Sequence, residues 1–541
     1  MSTLTPMSTN LSSKRDSSQI PGTVYLITSN GEVLRLPIPS NSPQDPLNWG
    51  MKKRALAFLA LASLGSTSLI VVQGASSLFS SLSKEFTLED TYPFNLTVLA
   101  TAPPMFMGIG AFLWIPLSLA LGRRLVVIIA ATMLVMATIW ASVEVNFHVL
   151  LAAVCFEGLA AGVTSSALLL IIIDLTFIHE RPAAIAGTYG IITSLSSGIF
   201  TFTPQFANTG VAWRTFYRIL TIPCVVSLLL VLFLYPETYF VRPGLALDGR
   251  ILVQSATEKV YLYDDDDQAP DTESKADQPG KSLLRFRFSD LKIWRTTGSL
   301  SAMVACYRQM LLCFINPLIF WVALLQATVF GSLVSTSETY VAVLSSEPYS
   351  LSMHQIALFN LAGGFGAILA WPISAYTITA VSRLLTRKNK GVCDAEYYLP
   401  AFILPILTAA GGSFLYGYAI EYKWHWSWIY VSSALGSFSM AGLGTANTLW
   451  ITEAFPRWAG PALAVVAGVG YTLSFFITFA IVPWLEAQGY GRVNGQIGGI
   501  ILAVGFVGVP ISFWGKKLRQ HIHGRWAVCE AGALRPGASG C

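Results

Sequence analysis

Twelve stretches of this 541-residue chain are apolar over a length that can cross a bilayer, and a charged segment after the sixth divides them into two sets of six. A hydrocarbon core of about 30 Å takes roughly 20 helical residues to span. Inside it, every backbone N–H and C=O must find its partner within the segment. The stretches therefore predict helices at 55–78, 95–121, 125–143, 148–173, 183–206, 213–235, 314–337, 355–378, 399–420, 427–450, 460–485 and 494–514. With 53% hydrophobic and 12% charged residues and a mean hydropathy of +0.58, a water-soluble chain of this length would be short of polar surface. The expectation is an all-α membrane protein with a tail at 1–54, a six-helix bundle at 55–235, a central loop at 236–313, a second six-helix bundle at 314–514 and a tail at 515–541.

Lysine and arginine set the orientation. With both termini placed inside, 29 of the 34 basic residues fall on cytoplasmic segments, and Lys84, Arg214, Arg218, Lys423 and Arg492 remain outside. The net charge of +5 then describes a face opposite anionic lipid and gives no reason to expect nucleic acid as a partner. The first fifty residues, rich in Ser, Pro, Asn and Thr, read as a mobile tail rather than a cleaved signal. Asp264 to Asp267 mark a hydrated central segment, and the basic stretch that follows, with Leu283, Phe286, Phe288 and Leu291, reads either as disordered or as an amphipathic helix on the membrane surface.

Nothing points to catalysis. The seven cysteines show no metal-site spacing and several fall in cytosolic stretches, so neither zinc nor a disulfide framework is expected. There is no Walker-type phosphate loop and no catalytic cluster outside the membrane, so no cofactor and no enzyme activity are expected. Work would come from an ion gradient, at about 2.3 kcal/mol per proton per 100 mV.

Glu157 is the most costly residue in the spans. It lies nine residues in from the outer end of the fourth helix, roughly 13 Å deep at about 1.5 Å per residue, where an ionised carboxylate costs several kcal/mol unless it is paired, wet or protonated. Ala161 and Thr164 share its face. It reads either as a proton or substrate site or as a permanently protonated group bonded to a neighbouring helix. Gln73, Gln326, Asn360, Asn447 and Tyr471 are further polar residues within the spans, each readable as a substrate contact or as an interhelical hydrogen bond. Glu338 lies near the outer mouth, where water can solvate it. Between the second and third helices, Gly122 permits a tight reversal. Arg123 and Arg124 can bond helix-end carbonyls and carboxylates, or anchor to headgroups. The Trp424, Trp426 and Trp428 cluster reads as an interfacial belt.

Several short motifs carry a resemblance. Asp45-Pro46-Leu47-Asn48-Trp49 stands just ahead of Lys52-Lys53-Arg54 and the first helix; Asp174 to Arg181 closes the fourth helix and Pro236-Glu237-Thr238 the sixth; Gly122-Arg123-Arg124 and Asn389-Lys390-Gly391 occupy loops. Over about residues 45–515 the chain resembles fungal drug:proton antiporters of the major facilitator superfamily. That resemblance implies two six-helix halves related by a pseudo-twofold axis, rocking about a shared cavity lined by helices one, four, seven and ten. It makes Gln73, Glu157, Gln326 and Asn447 the favoured substrate contacts and Gly122, Arg123, Arg124, Asp174 and Arg181 a cytoplasmic gate. The pattern is not complete. The usual Asp three residues before Gly122 is Leu119, which makes Asp174, or Glu180 with Arg181, the candidate partner of the loop arginines. The Arg often linked to proton coupling is absent from Val154-Cys155-Phe156-Glu157-Gly158, and the Gly-Pro-rich motif of helix five is reduced to Ser197–Gln205 with Pro204. Glu453, Phe455 and Pro456 resemble an acidic-x-x-Pro pattern with Glu in place of Asp. The activity implied is proton-coupled efflux of an amphipathic small organic molecule across the plasma membrane by a monomer. Proton-coupled nutrient uptake, or a ligand sensor signalling through the central segment, are the alternatives.

Overall fold

The computed structural model describes residues 23–25, 45–202, 213–240, 245–247, 250–254, 260–263, 300–389 and 392–526. Among these, twelve long helices build the molecule: α1 (Met51–Ser77), α2 (Val98–Leu121), α3 (Arg123–Val143), α4 (Phe147–Ser165, continued by Ala167–Leu175), α5 (Arg181–Phe200), α6 (Trp213–Leu234), α7 (Pro317–Ser345), α8 (Met353–Lys388), α9 (Ile403–Glu421), α10 (Ser427–Ala454), α11 (Ala459–Gln488) and α12 (Tyr490–Phe506, continued by Gly508–Trp526). Local chemistry marks where several of them start. Asn146 caps α4 by accepting from His148 N at 2.9 Å, and Asn316 caps α7 by accepting from Leu318 N at 3.0 Å with Pro317 at the first helical position. Ser352 and Gln355 form a capping box on α8.

Eleven of these segments are apolar and long enough to cross a membrane; α10 is long enough but too rich in Ser, Thr, Gly and Asn to stand with them. Every residue of α10 from Ser437 to Ala454 is buried. A helix enclosed by other helices meets little lipid, so it has no need of an apolar surface. Its hydroxyls turn back on the backbone, as when Thr445 Oγ1 donates to Ala441 O at 2.8 Å and Thr448 Oγ1 to Gly444 O at 2.8 Å.

Small residues let helices approach. Gly158 packs on the backbone of Pro103 and Gly162 on Gly110, drawing α4 against α2. The first six helices meet the last six chiefly where α2 packs on α11 and α5 on α8.

Four expectations change. Residues 300–315, read as part of the charged central loop, form a helix that packs on α2 and α11, with Phe314 stacked on Phe112 at 5.7 Å. Cys306, Met310 and Cys313 face inward and Leu300, Val304 and Leu311 outward, and apolar residues on both faces suit a helix wedged between protein and lipid. α8 runs on past the expected end to Lys388, its basic last turn matching the negative end of the helix dipole. The last helix likewise extends to Trp526, held by Lys516 on Asp394 and Arg519 on Glu396. Within the expected mobile tail, β1 (Thr23–Tyr25) pairs antiparallel with β5 (Val392–Asp394). A second sheet joins β2 (Leu245–Leu247), β3 (Arg250–Gln254) and β4 (Val260–Tyr263). The Asp264–Asp267 run and the basic stretch after it lie outside the described residues.

Candidate functional site

Between the two sets of helices lies a cavity of about 110 Å³, well above the ~10–15 Å³ that holds one water. Gln73 of α1, Asn360 of α8 and Tyr471 of α11 are in its wall. Asn360 Nδ2 also donates to Tyr340 OH at 3.1 Å and to Phe200 O at 3.5 Å, the second bond reaching across to α5. Tyr471 packs edge-on against Phe330 with centroids 4.7 Å apart.

Gln326 and Asn447 are brought together but sit behind the wall. Asn447 Nδ2 donates to Gln326 Oε1 at 2.8 Å, and Gln326 Nε2 reaches Met440 Sδ at 3.8 Å, so the pair props a residue that does face the cavity. Both side chains are buried, and the bond satisfies the Asn447 amide and the Gln326 carbonyl, polar groups that would otherwise be costly to bury.

Glu157 is not among the residues lining the cavity. The same face that carries Thr164 turns, at this height, into the interior of the first six helices, where Thr138, Tyr217 and Cys224 surround the carboxyl. Glu157 is fully buried, and neither carboxyl oxygen accepts a hydrogen bond from a described residue. The Thr138 hydroxyl donates to Leu134 O at 2.8 Å instead. Glu338 differs too from its solvated reading, since its Oε1 is buried without a hydrogen-bond partner among the described residues.

The loop and motif residues gather at one end of the bundle. Arg123 Nη1 pairs with Asp174 Oδ2, joining the start of α3 to the end of α4, with the Arg123 side chain buried. Glu237 accepts from Arg123 N at 3.3 Å and from Arg124 N at 3.1 Å, which places a carboxylate on the exposed amides of the α3 N-terminus. Arg124 Nη2 closes the arrangement on Leu232 O at 2.8 Å. Gly122 is fixed twice, by a φ of +91° and because a Cβ there would stand 3.0 Å from Glu237 Oε2. Pro236 precedes Glu237 just after α6 ends, while Thr238 Oγ1 meets Tyr235 OH at 3.0 Å.

The Asp45–Trp49 motif is a cap. Asp45 Oδ1 accepts from Leu47 N at 3.1 Å at the start of a short 3₁₀ turn, Pro46–Asn48, which packs on the second segment of α4. Arg54 Nη2 donates to Leu47 O at 2.6 Å, and Lys53 lies 4.4 Å above the Trp49 ring.

Arg181 does not join the loop arginines. Its Nη1 lies 2.8 Å from Glu453 Oε1 at the end of α10, and both side chains are buried, so this pair ties the first six helices to the last six. Eight residues further along α5, the Tyr189 ring covers Gly444 of α10 so closely that a Cβ at 444 would overlap it. Tyr189 also lines the cavity. Cavity, aromatic plug and ion pair thus follow one another along the same two helices. Tyr189 escapes sequence reading, since an aromatic in a membrane span is common; Arg181 and Glu453 each carry a motif signal, but nothing in the sequence pairs them.

At the opposite end, Glu85 accepts from Arg214 Nη2 at 2.6 Å and from Trp213 Nε1 at 2.6 Å, while Arg214 Nε donates to Glu144 O at 2.7 Å. The Arg214 hydrogen bond holds the Glu85 carboxyl below its usual range.

Residues 56–471 match the family model of the Major Facilitator Superfamily. The chain belongs to that superfamily. Major facilitator proteins are secondary transporters, and this one is an integral, multi-pass member of the class. It is 21% identical to an uncharacterized MFS-type transporter of Schizosaccharomyces pombe over 93% of each chain. It is 22% identical to a protein of Floropilus chiversii named efflux pump radE, over 89% of this chain and 84% of that one. Among solved structures, the xylose transporter XylE from E. coli in a partially occluded inward-open conformation superposes with a TM-score of 0.55 at 15% identity, covering 84% of this chain and 97% of that one. That likeness concerns the major facilitator fold.

Proposed function

We propose that this protein exports an amphipathic small organic molecule by alternating access, coupled to protons, as a monomer in the plasma membrane with both termini inside. The observation that carries the reading is a cavity between the two helix sets backed at one end by Tyr189 on Gly444 and, beyond it, by the Arg181–Glu453 pair. Both contacts cross between halves, so both must break for the cavity to open at that end. The excess of Lys and Arg supports placing that end inside. The efflux pump named among the relatives supports the direction.

Coupling in this reading rests on Glu157, a carboxyl buried inside the first six helices whose oxygens accept no hydrogen bond from a described residue. A carboxylate is costly there, so the group holds a proton until a rearrangement wets it. Because it stands off the cavity wall, it would act on α4 and its neighbours rather than on the solute. The test is flux in proteoliposomes under an imposed pH gradient, native chain against Glu157→Gln. Loss of pH-driven flux with passive exchange retained supports the reading; unchanged pH-driven flux removes Glu157 from it.

A further inference from the structure

The cavity wall has an unusual distribution of hydrogen-bonding capacity. Among the described residues lining it there is no Asp, Glu, Lys, Arg or His. Its polarity comes mainly from serine and threonine, and six of those hydroxyls, drawn from three helices, have their protons committed to backbone carbonyls. Thr188 donates to Ala184 O at 2.7 Å and Ser196 to Thr193 O at 2.9 Å. On α7, Thr336 donates to Ser332 O at 3.0 Å and Ser337 to Leu333 O at 2.9 Å. On α10, Ser432 donates to Ile429 O at 2.6 Å and Ser433 to Phe359 O at 3.0 Å.

A hydroxyl has one proton and two lone pairs. Once the proton is bonded to a backbone carbonyl, what remains for a ligand is acceptor capacity. These six hydroxyls come from both helix sets, so a solute in the cavity meets lone pairs on several sides, with apolar surface from Leu168, Phe330 and Met440 between them. An anion would face lone pairs with no basic side chain to receive it, and a cation would be desolvated with no carboxylate to pair with; either costs several kcal/mol. A neutral solute bearing several N–H or O–H groups would find acceptors for them.

We infer that the cavity selects uncharged, amphipathic solutes rich in hydrogen-bond donors, and excludes organic anions and cations. The inference rests on the transporter reading above and narrows it. Neutral sugars, glycosides, amides and polyols with an apolar face belong to the class; carboxylates, sulfates and protonated amines do not.

The probes are matched sets on several apolar aglycones: the free glycoside, its glucuronide, its 6-amino analogue and its per-O-methyl ether. Each is tested on the purified full-length chain in lipid nanodiscs by its effect on thermal stability, since a ligand that binds only the folded state raises the melting temperature. Within the scaffolds that protect, the free glycoside is expected to protect at lower concentration than its three partners. Removing two acceptors with Thr336→Val and Ser433→Ala should weaken that protection by about ten-fold, the equivalent of one or two lost hydrogen bonds. The melting temperature without probe reports on folding. Equal or stronger protection by a glucuronide, amine or methyl ether overturns the inference, as does protection by none of the probes. The transporter reading is judged apart from this, by flux of any compound in vesicles, so a transporter that prefers charged solutes would sink the inference and leave the reading standing.

Discussion

Arg181 of α5 and Glu453 of α10 meet at 2.8 Å, both buried, and so link two helix sets that have to separate at this end if the cavity is to open there. A buried pair of this kind contributes little net stability, because desolvation offsets most of the attraction, yet removing one partner strands a charge. In a transporter the stranded charge has a remedy: the halves part and water reaches it. Arg181→Ala or Glu453→Ala is therefore expected to shift the population toward the state open at this end by about 1–3 kcal/mol, the usual range of conformational coupling. Spin labels on α5 and α10 read by pulsed EPR should show the long distance gaining weight. The exchanged pair Arg181→Glu with Glu453→Arg should restore the short one; failure of the exchange to do so would mean the pair is not the link.

The Tyr189 plug makes a second, separate prediction. Gly444→Val places a side chain where the Tyr189 ring lies, and backbone packing leaves the ring to move. The variant should fold, remain open at this end and lose transport, whereas Gly198→Ala, where a Cβ meets nothing within 4 Å, should transport normally. Retained transport by Gly444→Val would show that the ring is not part of the closure.

Gly122 tests the turn. With φ at +91° and Glu237 against it, Gly122→Ala should lower stability by about 1–2 kcal/mol from backbone strain alone. Glu237→Gln keeps the shape but weakens the charge on the α3 amides and should cost about 0.3–2 kcal/mol. Melting in nanodiscs measures both; a Gly122→Ala chain that melts like the native one would remove the strain argument.

Glu85 and Arg214 give a pH dependence at the opposite end. The Glu85 carboxyl is held below its ordinary value of 4.5, chiefly by the Arg214 hydrogen bond. A depressed folded-state pKa contributes stability above the unfolded value and loses it as pH falls toward the folded value. The difference in melting temperature between the native chain and Glu85→Gln should be constant from pH 8 down to about 5 and shrink as the pH falls below the ordinary value of 4.5. A difference that instead grew on acidification would reverse the sign of the account.

The sequence reads well where lipid writes it. α6 and α12 leave most of their surface outside the protein interior, so their apolar runs announce them, and the basic clusters mark one end. It reads less well where protein replaces lipid. α10 could be found as a span, but its dense hydroxyls make sense only once it is seen enclosed by other helices. Glu157 shares a helical face with Thr164, yet only Thr164 reaches the cavity, because helical spacing fixes which way a residue points and not what stands in front of it. The Pro236–Thr238 motif carried a family label; its physical reason, Glu237 on the amides after Gly122, needs two segments more than a hundred residues apart to be seen together. The helix at 300–315 reads as loop in the sequence because charged neighbours stand on its N-terminal side.

Cavity access decides the central claim. With the seven native cysteines replaced, a single Ser437→Cys in the cavity wall can be labelled in oriented vesicles by a membrane-impermeant maleimide added to either face. The account predicts that labelling from the face bearing Arg181 and Glu453 is slow in the otherwise native chain and rises sharply when Arg181→Ala is added, while labelling from the opposite face falls. Labelling confined to one face, at a rate that the ion pair does not alter, would contradict it.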